Sequence, residues 1–510
     1  MLAPNHKRIL RNTGMLYIRM LLAMAVMLYT SRVVLDVLGI EDFGIYHVVA
    51  GFVALLGFLH GAMVSATQRY FAFDLGESKG SNLSEIYSTS VVIHGLLSLL
   101  IVFVAETVGY WFVSTQLTIP VERRDAALWA YHLAIFSFAV RVMMVPFTAM
   151  LTAHERMGVF AGIGMLDVLL ILGAVILLKY FGEDKLITYS LLMLVVAVST
   201  FILYVLSNRI LFANVRLKLQ WHSEQLRSMA SYTAWNTWGN LAAALSTQGT
   251  NILLNIFFGP AVNAGRSIAS QANSALISFI VNVQTAINPQ IIKLYASGER
   301  TEMHAMVLHA SKYNFYLLFT LAMPVLLYTE SLLNIWLVEV PPYATSFLQL
   351  TVVASLINSF SGPLMTSAQA TGRIRLYQTV VGGILLLTMP VSYLVLRRWP
   401  EPELVLIVII GVNFVALIAR LFILKKLIQL DLGSYIGKVI GRSTITASAI
   451  IFVAYGVSQP EVESLVQLLF NSVIVVLVAI LGVLTIGLSS MERTIVFQTL
   501  IQLGRKLKRE

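Results

Sequence analysis

Residues 465–488 read LVQLLFNSVIVVLVAILGVLTIGL, twenty-four residues without an Asp, Glu, Lys or Arg. A helix of that length reaches about 36 Å, against a bilayer hydrocarbon core of about 30 Å. Runs of this kind recur along the whole chain. Fourteen are read as membrane spans, at 14–37, 44–74, 84–112, 125–152, 157–180, 186–208, 230–257, 262–292, 303–328, 343–370, 375–396, 403–424, 436–457 and 465–488. Helix breakers fall at most of the joins, among them Gly39, Gly76, Pro120, Gly182, Gly259-Pro260, Gly298, Pro341-Pro342 and Pro460.

Composition agrees. Of 510 residues, 58% are hydrophobic and 12% charged, with a mean hydropathy of +0.81. Soluble proteins carry about 25% charged residues, so an aqueous surface of ordinary make-up is excluded. The absence of cysteine excludes disulfides, thiolate zinc sites and iron–sulfur clusters. A net charge of +10 would suggest nucleic acid in a soluble protein. Here the position of the charges carries the information, and no nucleic-acid partner is expected. With the N-terminus inside, 21 Lys and Arg fall on inner segments and 6 on outer loops. That bias places both termini in the cytoplasm. The first span contains Arg19 and Arg32 and has no small-residue cleavage site, so it is expected to stay as a helix. No G-x-x-x-x-G-K-[ST] occurs, no cofactor is expected, and energy must come from an ion gradient or from the substrate's own gradient.

The chain repeats itself. Pro146-Phe-Thr-Ala-Met-Leu-Thr-Ala153-His-Glu-Arg156-Met-Gly-Val-Phe160 matches Pro363-Leu-Met-Thr-Ser-Ala-Gln-Ala370-Thr-Gly-Arg373-Ile-Arg-Leu-Tyr377 at an offset of 217. Gly39 and Gly259 open the turns before spans two and eight at an offset of 220, and Gly76-Glu77 and Gly298-Glu299 close them at 222. Six spans separate the copies. An even number gives both the same orientation, a parallel repeat about the membrane normal. The expected fold is therefore an all-α integral membrane protein with two six-helix lobes and two added C-terminal helices. Residues 1–211 form the N-lobe, 212–229 an amphipathic cytoplasmic linker, 230–430 the C-lobe, 431–490 the last two spans and 491–510 a basic tail.

Charged groups inside spans are expensive and face a cavity, a partner or the interface. Arg19 and Arg32 lie in span one, Arg69 in span two, Arg141 in span four, Arg266 in span eight and Lys312 in span nine. Arg forks match phosphate oxygens bidentately, so such a cluster suits a diphosphate. Snorkelling to the interface is the competing reading for Arg19, Arg69 and Lys312, and pairing with an acid for Arg141. Asn236, Asn240, Thr247 and Asn251 share one face of span seven, within roughly 60° at 100° per residue. Asn263, Arg266, Ser270 and Asn273 step along span eight. Amides this dense on adjacent spans are expected to line a hydrated path, the alternative being helix–helix hydrogen bonds. Asp167, Glu106 and Asp36 are the candidates for Na⁺ or H⁺ coupling. His60, His94 and His132 read as helix–helix hydrogen bonders.

Several stretches resemble the bacterial polysaccharide and O-antigen flippases of the multidrug/oligosaccharidyl-lipid/polysaccharide (MOP) superfamily. They are Asn12-Thr13, Leu16-Tyr17-Ile-Arg19-Met20, Leu28-Tyr29-Thr-Ser-Arg32-Val-Val-Leu35, Leu38-Gly39-Ile-Glu-Asp42-Phe-Gly44-Ile-Tyr46 and Thr67-Gln68-Arg69. Gln248-Gly249-Thr-Asn251, Asn255-Ile-Phe-Phe-Gly259-Pro260, Val262-Asn263-Ala264, Ala286-Ile-Asn288-Pro289-Gln290 and Ala370-Thr-Gly372 continue the likeness, which covers residues 10–430. The resemblance implies two lobes in a V around a central cavity, a fold similar to that of the lipid II flippase. It implies transfer of an undecaprenyl-diphosphate-linked oligosaccharide across the cytoplasmic (inner) membrane by alternating access, for lipopolysaccharide O-antigen, capsule or exopolysaccharide. It places Arg19, Arg32, Arg69 and Arg266 against the diphosphate, and it implies association with polysaccharide polymerase and assembly proteins. The rival from the same superfamily is a multidrug/cation antiporter, which the arginines oppose. A membrane glycosyltransferase or polymerase would carry a sizeable outer domain with catalytic acids, and the outer loops here are short. A scaffold for an assembly complex would not need a polar lining. The chain is expected to be a transporter and not an enzyme.

Overall fold

Apolar runs alternate with Gly- and Pro-marked breaks, and the computed structural model follows that punctuation. It describes residues 4–55, 67, 71, 83–154, 156–213, 215, 241, 244–371, 373–457 and 464–494, with side chains from Leu21 onward. Helix α1 runs Pro4–Leu55 and breaks direction at Gly39, where φ is 74° and ψ 171°. Glycine adopts that φ at little cost, and a residue with a Cβ does not. Helix α2, Leu83–Gln116, contains a π turn at Ala105–Gly109. Helices α3 (Arg124–Ala153), α4 (Met157–Leu178) and α5 (Lys185–Leu211) follow. Asp184 caps α5, its carboxylate accepting from the amides of Leu186 and Ile187.

Residues 244–258 form α6, and Gly259, at φ 80°, turns the chain into α7, Pro260–Ala296. Proline suits this first helical position because its missing N–H would have no partner there. Helix α8, Arg300–Leu327, bends by 77° into a short helix, Thr329–Trp336. Helices α9 (Ala344–Ala370), α10 (Ile374–Arg398), α11 (Leu404–Ile428), α12 (Leu432–Val457) and α13 (Leu465–Gly487) complete the order. No strand occurs among the described residues.

This is an all-α integral membrane protein. Among the described residues ten helices are long and apolar enough to cross a membrane, or eleven if the bent pair at α8 is one span. The span read at 44–74 is the part of α1 beyond Gly39, described continuously to Leu55, and the span read at 230–257 is described continuously from residue 244. The surface has the character a lipid solvent demands. Phe103, Trp111, Phe452 and Val466 stand exposed, Phe452 by 82%. In water such residues would be driven inward; against hydrocarbon there is no force to bury them.

The chain divides into two units. The first comprises Met1–Gln271, Leu337–Ala344 and Leu385–Val405, the second Ala272–Trp336, Thr345–Ile384 and Leu406–Glu510. In the first, α3 and α5 make the most extensive pairing, with α2 against α3 and α4 against both α1 and α5. Tyr87, Phe147, Met150, Leu151 and Tyr204 form an aromatic-rich core there. In the second, α8 packs against α13 and α12.

The two glycines that the repeat sets in register, Gly39 and Gly259, share a positive φ, and their helices meet. Gly44 on α1 lies against the backbone of Pro260, at the start of α7, so closely that a Cβ at Gly44 would overlap the Pro260 carbonyl. Gly44→Ala should therefore destabilise the first unit by about 1–3 kcal/mol, the usual cost of overpacking. Gly162→Ala is the control, because its Cβ would meet nothing within 4 Å. Thermal melts in detergent check this: a lower midpoint for Gly44→Ala alone is expected, and equal midpoints would show that the helices separate freely.

Candidate functional site

The exposed face of α1 can be traced residue by residue. Leu21, Ala25, Tyr29, Arg32 and Asp36 are exposed at steps of three and four, while Val26, Val33, Val34 and Leu35 are buried on the other side. Arg32 and Asp36 thus stand one turn apart on one open face, the spacing at which helical side chains meet. Beside them Ser31 is turned inward and hydrogen-bonds the Gln271 side chain. Arg19, Arg69, Asn236 and Asn240 lie outside the residues whose side chains are described.

The polar stripe of α7 is closed in this structure. Asn263, Arg266 and Asn273 are buried. Asn263 Nδ2 donates to the Asn251 carbonyl at 2.9 Å, and Asn251 Nδ2 donates to Gln248 Oε1 at 2.9 Å. Asn251 and Asn263 are therefore brought together as a hydrogen-bonded brace between α6 and α7 and do not line open space here. Asn255 does similar work on the other side. It accepts from the Thr118 amide at 2.9 Å and donates to the Thr118 carbonyl at 3.3 Å, imitating a peptide group in the Leu117–Pro120 loop. Helix–helix hydrogen bonding, rather than a water-lined path, is what the geometry realises at Asn251 and Asn263.

The candidate coupling acids go separate ways. Asp167 accepts a hydrogen bond from the Thr200 hydroxyl at 2.7 Å, between α4 and α5. Glu106 sits on the π turn of α2 and pairs with His132 of α3 at 2.9 Å, with Tyr110 stacked on the imidazole. Asp36 remains exposed beside Arg32. His94 is buried and bonds the Ser90 carbonyl of its own helix.

Three cationic partnerships were not legible in the sequence. Arg123 forks onto two carboxylates: its Nε and Nη2 donate to Asp42 at 2.8 and 2.6 Å, and Nη1 and Nη2 donate to Asp184 at 2.8 and 3.1 Å. One side chain thereby ties the α1 segment past Gly39 to the cap of α5. Partial burial opposes the Asp184 charge, but the Arg123 bonds and the Ile187 and Leu186 amides outweigh it and hold the carboxyl below its ordinary pKa. In the second unit Lys312 of α8 is buried, and its Nζ donates to both oxygens of Glu492 at 2.6 and 2.7 Å. Snorkelling is thus not the role of Lys312. Its charge is met inside the protein, with His309 and the Ser489 amide also on the Glu492 carboxylate. Arg420, buried on α11, donates to the hydroxyl of Tyr377, the aromatic residue that closes the second copy of the repeat motif.

No family model and no curated protein sequence matches the chain. Solved structures do. The lipid II flippase MurJ in an inward closed conformation aligns at TM-score 0.71 and 13% identity, over 95% of this chain and 99% of that one. An inward-facing multidrug resistance MATE family transporter of the MOP superfamily aligns at 0.63 and 14% identity, over 81% and 94%. An outward-facing transporter of that family aligns at 0.57 and 15%, over 82% and 95%. The chain shares the fold of these MOP-superfamily transporters.

The Glu492 pair has a pH signature. Burial pushes its carboxyl up, but the Lys312 bond and the Ser489 amide outweigh burial and bring the pKa from 4.5 down to about 2. A depressed carboxyl stabilises the fold fully above pH 4.5, and the contribution fades as pH falls from there toward about 2. Melts recorded across that window should show the loss in wild type, and Glu492→Gln should flatten it. Lys312→Met, which strands the buried carboxylate, should cost about 3–5 kcal/mol at neutral pH. Superimposable pH profiles for wild type and Glu492→Gln would refute the pair's contribution.

Proposed function

We propose that the chain is a flippase for an undecaprenyl-diphosphate-linked oligosaccharide, the repeat unit of an O-antigen, capsule or exopolysaccharide. The observation that carries this reading is Arg32 on the open face of α1. A guanidinium at Arg32 on an exposed helical face, within a fold shared with a lipid II flippase, suits an anionic headgroup. The lobes 1–211 and 230–430 rock about the headgroup, and the linker 212–229 joins them. Arg19, Arg32, Arg69 and Arg266 meet the diphosphate. Asn236, Asn240, Asn251 and Asn263 receive the glycan when the α6–α7 brace opens. The polyprenyl tail stays in lipid, and no bond is made or broken.

Asp36, beside Arg32, is the first choice for H⁺ or Na⁺ coupling, ahead of Asp167 and Glu106, because it shares the open face. The chain works in the bacterial inner membrane with both termini in the cytoplasm, near polysaccharide polymerase and assembly proteins. The MATE-like fold supports one rival, a multidrug/cation antiporter.

Reconstituted protein should protect a fluorescent undecaprenyl-diphosphate tetrasaccharide from a membrane-impermeant quencher. Arg32→Ala should slow that protection roughly tenfold or more, the scale of a lost charge-assisted hydrogen bond. Arg266→Lys, which keeps the buried charge, should slow it less. Full rates in Arg32→Ala would remove Arg32 from the mechanism. Export of a small organic cation without glycolipid transport would favour the antiporter. The chain has no cysteine, so single substitutions report sidedness directly. In right-side-out vesicles a probe that cannot cross the membrane should label Trp399→Cys and spare Lys508→Cys; the reverse would invert the proposed orientation.

A further inference from the structure

Arg141 sits deep in α3, roughly 26 Å along the axis from its first residue and 18 Å from its last. Its side chain is exposed, and no ion pair involves it among the described residues. Pairing with an acid does not account for it. A guanidinium at that depth is expensive in hydrocarbon, so water or an anion must reach it. The surroundings fit that requirement. Arg141 opens into a cleft of about 180 Å³ inside the first unit, between α1, α3 and α5, which half-buried Tyr46 and Ser137 and buried Ser190 also line.

The hydroxyls there are held in place. Ser137 donates to the Leu133 carbonyl at 2.8 Å and Ser190 to the Leu186 carbonyl at 2.9 Å, leaving their oxygens as acceptors. Tyr46 packs edge-on against Tyr189, with ring centroids 4.6 Å apart, and its hydroxyl lies within the field of Arg141. One fixed cation flanked by hydroxyl oxygens matches a charged oxyacid group carried on a hydroxylated skeleton. The guanidinium donates to the anion, and the serine oxygens accept from neighbouring hydroxyls.

We propose that Arg141, with Tyr46, Ser137 and Ser190, forms an oxyanion subsite for the transported headgroup, separate from the open face of α1. The ligand is a carboxylate or phosphate borne by the glycan or its diphosphate. This rests on the flippase reading, and the test separates the two.

Two lipid-linked tetrasaccharides would be compared in the protection assay: one with a single uronic acid, and the same glycan with that carboxyl reduced to an alcohol. In parallel, binding of glucuronic acid and of pyrophosphate to the full-length protein in nanodiscs would be measured by thermophoresis. Arg141→Gln should slow the acidic glycan roughly tenfold, and Arg141→Lys should restore part of the rate. Slowing confined to the acidic glycan, with weaker glucuronic acid binding, identifies the carboxylate. Equal slowing of both, with weaker pyrophosphate binding, identifies the diphosphate. Unchanged rates overturn the subsite, and so does equal slowing with both probes bound as in wild type. If wild type flips neither glycolipid yet binds a probe in an Arg141-dependent way, the flippase reading fails and the subsite stands.

Discussion

A charge cannot be left unsolvated in hydrocarbon, and this constraint sorts the cations of the chain. Moving an arginine or lysine to the centre of a bilayer costs at least about 2.5–3.5 kcal/mol, so each such residue needs an answer. Arg123, outside the spans, is paired twice all the same, by Asp42 and Asp184. Lys312 is answered by Glu492, and Arg420 bonds Tyr377. Arg141 is exposed on α3 of the first unit, and no ion pair involves it among the described residues. The paired cations hold elements together, and Arg141 is the one for which an anion is proposed.

The same constraint governs the uncharged polar groups. Asn251, Asn255 and Asn263 lie in the most amide-rich part of the chain, and each is used to join segments. Asn263 reaches the Asn251 backbone, and Asn255 clasps the Thr118 peptide. These bonds close the α6–α7 region beneath the Gly39 and Gly259 turns, where Gly44 lets α1 touch Pro260. Under the proposed function such bonds would be exchanged for water or substrate, and amides suit that because they both donate and accept.

Much of this was legible in the sequence. Long apolar runs announced membrane helices, because lipid exposure removes the need for an amphipathic pattern. Gly39 and Gly259 announced turns, and both adopt the positive φ that glycine tolerates. The partners of the cations were not legible. Arg123 finds its acids 81 and 61 residues away, and no local spacing encodes that. Nor does helical periodicity tell a polar face that lines water from one that braces a neighbour, so the burial of Asn263 and Arg266 had to be seen. The π turn bearing Glu106 left no mark in composition either.

The separation between Lys312 and Glu492 sets a timetable for biogenesis. The two residues are 180 positions apart, so the lysine leaves the ribosome long before its counter-ion exists. At bacterial and eukaryotic elongation rates of about 5–20 residues per second, that interval is roughly 9–36 seconds. Helix α8 must therefore enter the bilayer, or wait beside it, with an unneutralised ammonium throughout the synthesis of α9 to α13. Its final seating is a late event in the birth of the protein, completed only when the segment after α13 arrives.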